Sequence, residues 1–275
     1  MRYLHAPALL IMTLALQACQ PEPEAPPPAE PEAEAAEPAA EVVQPAPSTQ
    51  EALASAIANI PGRSEEDAAR DAGRKPAEVL AFLGLEPGMT VLDQYASGGW
   101  YTEVLSAAVG PTGRVIAQNS PRLLAMRDGA YEKAISARLA DGRLANVERL
   151  DKALGELGLQ ADSLDMAFTA LNFHDLYYLM SPEAAAAALA EVYAALKPSG
   201  VLGIIDHYGA PDGDNKSLHR IDPQIVRDMA TQAGFVVEAE SGILHHHSDD
   251  LSTMVFDPAV RGKTHRFVLR LRKPS

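Results

Sequence analysis

A chain of 275 residues that is 47% hydrophobic holds enough apolar material for a packed core, in one large domain or two small ones. A net charge of −14, with no basic stripe interleaved with aromatics, argues against any nucleic-acid partner. The single cysteine, Cys19, excludes an internal disulfide and any cysteine-rich zinc site.

Arg2 precedes an apolar run, Ala8 to Ala18, that is too short to span a bilayer as a permanent helix and has the shape of a secretory signal. It ends in Leu16-Gln17-Ala18-Cys19, which resembles the lipobox of bacterial lipoproteins. The resemblance implies cleavage before Cys19, acylation of its thiol, and a membrane partner: a protein lipid-anchored in the bacterial cell envelope and facing the periplasm. From Gln20 to about Gln50 the chain is Pro, Glu and Ala, with nine prolines between Pro21 and Pro47 and seven glutamates between Glu22 and Glu41. Such a composition cannot bury enough apolar surface to fold. The expected organisation is a signal peptide over 1–18, a lipidated cysteine and disordered linker over 19–50, and a folded domain over 51–275. In polyproline II form, at ~3.1 Å per residue, the linker would reach roughly 90 Å.

Glu51 to Ile60, Ser64 to Ala72 and Ala77 to Leu83 read as short helices that would cover a sheet edge or cap a pocket. The core is expected from 84 onward. Val91 and Leu92 run into Asp93 as a strand, Ala96-Ser97-Gly98-Gly99 is a tight turn, and Trp100 to Val109 spaces its apolar residues like a helix. Such a junction brings unpaired helix N–H groups to the carboxyl end of a strand, where a ligand can approach the backbone. An ordinary strand-turn-helix would look the same. The entry Leu85-x-Pro87-Gly88-x-x-Val91-Leu92-Asp93 and the turn resemble the first motif of class I methyltransferases that use S-adenosylmethionine (SAM). Aligned on Asp93, Tyr95 and Ser97 stand where that family has glycines, and Gly99 occupies a family glycine position.

Arg114 to Gln118 reads as the second strand, and Asn119 follows where the family has an acidic residue for the ribose hydroxyls. An amide can accept one bond and donate another. Leu123 to Leu139 is helical and Val147 to Leu150 a short strand. Asp151 falls where the family contacts the adenine amino group; it would equally cap a following short helix. Ser163 to Thr169 is the fourth strand, leading to Asn172-Phe173-His174-Asp175, which is similar to a histidine-containing segment of small-molecule methyltransferases. A helix over Pro182 to Leu196 stops at Lys197-Pro198-Ser199-Gly200, a Leu-Lys-Pro-x-Gly-x-Leu pattern also like that family's. Val201 to Ile205 reads as a strand buried on both faces, ending in Asp206-His207. Asp222-Pro223 starts a helix that ends at Gly234, Phe235 to Glu240 is a strand and Arg266 to Leu271 the last.

The resemblance covers roughly Pro76 to Lys273. It implies an α/β fold: a doubly wound, mostly parallel, seven-stranded Rossmann-like methyltransferase sheet with an antiparallel last strand. It further implies SAM as cofactor and a small-molecule substrate, with Asp93, Tyr95, Ser97, Gly98, Gly99, Asn119, Asp151 and Asn172 at the cofactor. His174 and His207 adjoin Asp175 and Asp206, so a carboxylate could orient either ring as a general base; such pairs also tie loops together. His219 and Arg220 are candidates for an anionic substrate group. His245-His246-His247 with Asp249 and Asp250 lacks the spacing of a metal site, and no metal is expected. SAM is made in the cytoplasm whereas the signal exports this chain, so the alternative is an envelope-anchored binding module that kept the fold and lost catalysis.

Overall fold

The computed structural model describes residues 49–275. The signal, most of the linker and the lipidation expected at Cys19 lie outside the described residues. Helix α1 (Thr49–Ala58) is followed by α2 (Glu65–Ala69) and α3 (Asp71–Arg74), so the single helix expected over 64–72 is two. Ser64 caps α2 by accepting the Asp67 N–H. Lys75 takes a left-handed φ of 42° between α3 and the next helix, and Pro76 opens α4 (Pro76–Leu83).

Then β1 (Thr90–Gln94), α5 (Trp100–Val109) and β2 (Arg114–Gln118) lie where the apolar spacing puts them. Helix α6 (Pro121–Leu139) departs from the uniform helix expected, because Arg127, Asp128 and Gly129 have φ of 53°, 55° and 73°. Gly129 takes this left-handed turn freely and Asp128 tolerates it; Arg127 holds it against its preference. Next come β3 (Val147–Leu150), β4 (Leu164–Ala170) and one helical turn, α7 (Phe173–Asp175), that runs into a π turn at Leu176–Met180. The chain closes with α8 (Pro182–Ala195), β5 (Leu196–His207), α9 (Asn215–Leu218), α10 (Pro223–Gln232), β6 (Val236–Ser241) and β7 (Arg266–Arg272). Strand β5 is longer than Val201 to Ile205. It starts at Leu196, opposite Leu164, and bulges through Lys197–Gly200 before Val201 pairs with Met166.

The seven strands lie in the order β3-β2-β1-β4-β5-β7-β6, all parallel except β7, which is antiparallel to both neighbours. This is the Rossmann-like methyltransferase sheet expected from the resemblance. Side chains alternate between two cores. Val91, Met166, Phe168, Val201 and Val268 face α1, α4 and α5; Leu92, Ala167, Leu202, Ile204 and Leu269 face α8 and α10. The chain winds outward through β2 and β3 on one side of β1 and, from β4, in the opposite direction. The loops after β1 and β4 therefore diverge, and a crevice opens between them.

Candidate active site

A cavity of about 470 Å³ occupies that crevice. Its wall includes Asp93, Tyr95, Ser97 and Gly98 after β1, and Asn172 after β4. The turn between β1 and α5 alternates into left-handed backbone, with φ 55° at Tyr95, 54° at Ser97 and 81° at Gly99. Two non-glycine residues hold this shape because the end of β2 grips it. Gln118 Oε1 accepts the Tyr95 N–H at 3.0 Å, Asn119 Oδ1 accepts the Ser97 N–H at 2.7 Å, and Asn119 Nδ2 donates to the Ser97 carbonyl at 3.1 Å. Asn119 is buried and absent from the cavity wall, and its amide is committed to the turn rather than offered to a ribose. Asn119→Ala should cost about 2 kcal/mol, at ~1 kcal/mol per bond, measured by urea unfolding. Gly99 also serves packing: a Cβ there would lie 2.5 Å from Ile135 Cδ1 of α6.

Asp93 is buried on the cavity wall, where its Oδ2 accepts the Thr102 hydroxyl at 2.6 Å. Burial pushes its pKa up to about 7, against the opposing pull of that bond. Four arginines, Arg70, Arg74, Arg127 and Arg138, share the wall with this one carboxyl. Arg138 is spent on Glu103, on Asp67 and on the Gly98 carbonyl, and Arg70 pairs with Asp67 at 3.2 Å. Among the described residues Arg74 and Arg127 have no carboxylate partner. Arg74 instead lies over the rings of Trp100 and Tyr101, 4.5 and 5.6 Å from their centroids, and burial lowers its pKa to about 10. Sequence reading missed both arginines. Arg74 falls between the helices read over 64–72 and 77–83, and ends α3 in the structure, whereas Arg127 lies in a stretch read as uniform helix.

The remaining candidates scatter. Asn172 donates to the carbonyls of Ala170 at 2.7 Å and Tyr95 at 3.3 Å, joining the two loops of the crevice. Asp151 pairs with Arg149 at 2.7 Å and neither lines the cavity nor caps a helix. Arg220 is fully buried, and its five N–H donors reach both oxygens of Asp249 and the carbonyls of Tyr208 and Thr253. No donor is left for a substrate, so the recognition role expected of Arg220 gives way to a structural one.

His174 and His207, the expected bases, lie just outside the cavity wall. Asp206 does not orient its neighbour His207. It reaches across to His174, accepting the ring Nδ1 at 2.7 Å and the backbone N–H at 2.8 Å. Burial alone would lower the His174 pKa, but Asp206 and Asp175 outweigh it and raise it to about 10. The two carboxylates favour the charged form of this ring. His207 is pushed down to about 3, chiefly by burial, with its Nδ1 2.8 Å from Thr264 Oγ1. His245 stacks on His265 at 4.2 Å between centroids, and Asp249 is committed to Arg220.

A larger recess, of about 830 Å³, lies at the opposite, amino-terminal ends of β2 and β3. Its charged residues neutralise one another in the pairs Arg143–Glu103 and Arg114–Glu148, so the chemistry-bearing site is the crevice.

No protein-family model matches the chain, and no curated protein sequence does. Its fold is that of solved SAM-dependent methyltransferases. One from Aquifex aeolicus is 24% identical over 72% of this chain and 89% of its own, with a TM-score of 0.54. An arsenic(III) S-adenosylmethionine methyltransferase from Chlamydomonas reinhardtii is 19% identical over 84% of this chain and 75% of its own, with a TM-score of 0.50. The [4+2]-cyclase SpnF is 18% identical over 74% of this chain and 81% of its own, with a TM-score of 0.54. The last marks the limit of the likeness: one fold carries more than one chemistry.

Proposed function

We propose that the protein is a transferase that moves a methyl group from SAM to a small molecule, in a domain tethered to the cell envelope through Cys19. The observation that carries this reading is the cavity at the β1/β4 switch point. Its wall offers a titratable carboxyl, Asp93, and an unpaired guanidinium, Arg74, to a cofactor whose methionine end bears both charges. Asp93, Tyr95, Ser97, Gly98 and Asn172 would hold SAM, with Arg74 for its carboxylate. When bound, the cofactor supplies an electrophilic methyl group on a sulfonium.

The chain's own part is to align the acceptor and keep charges matched. A cation beside Asp93 favours its ionised form, so SAM binding should tighten as pH rises from about 6 to about 8. Arg127 remains for the acceptor, which suits an anionic group. With no histidine on the wall, the best acceptor is one that already presents a lone pair at neutral pH.

Calorimetry with SAM and S-adenosylhomocysteine tests the reading. Saturable heat is expected, with affinity at least about tenfold weaker in Arg74→Met. Silence at millimolar cofactor, about −4 kcal/mol, would favour the second reading, a binding module without catalysis. That alternative draws on Asn119, whose amide the turn consumes, leaving no paired acceptor for a ribose. The tether has its own test: fatty-acid label should be lost in Cys19→Ala.

A further inference from the structure

His174, Asp175 and His219 converge just outside the cavity. Asp175 Oδ1 lies 3.2 Å from His174 Nε2 and 3.0 Å from His219 Nδ1. Among the described residues this is the one group of three whose ligating atoms all fall within 4.8 Å of one another. Neighbouring ligands around an ion with ~2.1 Å bonds lie about 3.0–3.4 Å apart, the spacing seen on both sides of Asp175.

Three further features separate this cluster from a chance gathering of polar groups. His174 is 3% exposed, and its buried Nε2 makes no well-formed hydrogen bond, facing only the Asp175 carboxylate at 3.2 Å. Its other nitrogen, Nδ1, is held by Asp206 at 2.7 Å, and Asp206 also takes the His174 backbone N–H. That carboxylate–imidazole pair is how proteins orient a metal-binding histidine and raise its basicity. Finally, His219 and Asp175 are 27% and 42% exposed, so the cluster opens to solvent on one side.

We infer that His174 Nε2, the Asp175 carboxylate and His219 bind one divalent transition-metal ion, in a two-histidine, one-carboxylate site with open positions. Zinc(II) and cobalt(II) suit this donor set; magnesium and calcium, which take oxygen ligands, do not. Binding displaces a proton from the His174 ring, with Asp206 remaining as its partner. Phe256 packs on His219 at 4.9 Å between centroids and also lines the cavity, so the ion would stand at the cavity's rim.

Calorimetric titration of the chelator-treated full-length protein with zinc(II), and the visible spectrum of its cobalt(II) form, test it without any activity. One equivalent is expected, weakened at least about 100-fold by His219→Ala and by Asp175→Asn, two partly exposed positions that leave the His174–Asp206 pair intact. Asp206→Asn should weaken it about 10–100-fold. His245→Ala should leave it unchanged. No stoichiometric heat with zinc(II) overturns the site and leaves His174 simply paired with Asp175 and Asp206. So does affinity that survives both His219→Ala and Asp175→Asn, or that falls with His245→Ala, since the ion then sits elsewhere.

Discussion

Arg220→Ala is expected to remove about 3–5 kcal/mol of stability, a large part of the 5–15 kcal/mol typical of a folded domain. The variant strands the Asp249 carboxylate, whose side chain is 1% exposed, with no cation beside it. It also removes the donors to the carbonyls of Tyr208 and Thr253, which tie the strand end after β5 to the long segment before β7. Arg220→Lys should recover little, because one ammonium cannot reproduce a planar fork bonded on every edge. Urea unfolding gives the measurement. A loss under about 1 kcal/mol with a raised KM for substrate would return Arg220 to a recognition role.

The second large effect is a pH dependence set by Asp93. Unfolded, its carboxyl titrates near the ordinary aspartate value of 3.8; folded, it stays protonated up to about 7 because ionising it means burying a charge. Between those values the native state binds the extra proton, so stability falls as pH rises from about 4 to about 7 and is level above. The difference corresponds to on the order of 4 kcal/mol. Asp93→Asn keeps the shape and an acceptor for Thr102, and should flatten this slope. The variant should be more stable than the parent at pH 8 and nearly equal to it at pH 4. Chemical denaturation of both proteins at a series of pH values checks this, and parallel curves would show that Asp93 ionises freely in the fold. The same variant should lose most SAM affinity, which separates the group's use from its cost to the fold.

Much of the architecture was legible because its signals are local. Apolar runs at Val91-Leu92 and Val201–Ile205, the spacing of Trp100–Val109, and a start signal such as Ser64 mark strands and helices without knowledge of what they pack on. Where the reading went astray, a non-local cause is visible. The bulge of β5 through Pro198 exists because β4 offers Leu164 as a partner for Leu196. The left-handed turn at Arg127–Gly129 interrupts a segment whose composition alone reads as continuous helix.

The site divides the same way. From sequence alone, the strand-turn-helix around Asp93 and its place at the carboxyl end of a strand could be read, since turn residues and periodicity act over a few positions. Partnerships and proton affinities could not, because both depend on which groups the sheet brings together and what water it removes. Asp206 binds His174, 32 residues away, rather than the histidine beside it. Arg74 reaches the crevice from the N-terminal helices, and Asn119, in the family's ribose position, is turned inward to hold Ser97. His174 and His207 each adjoin an aspartate in the chain, yet one is raised to about 10 and the other lowered to about 3. The sequence context is nearly the same. Only the fold sets one ring between two carboxylates and buries the other against a threonine hydroxyl, and that difference decides which ring carries a charge.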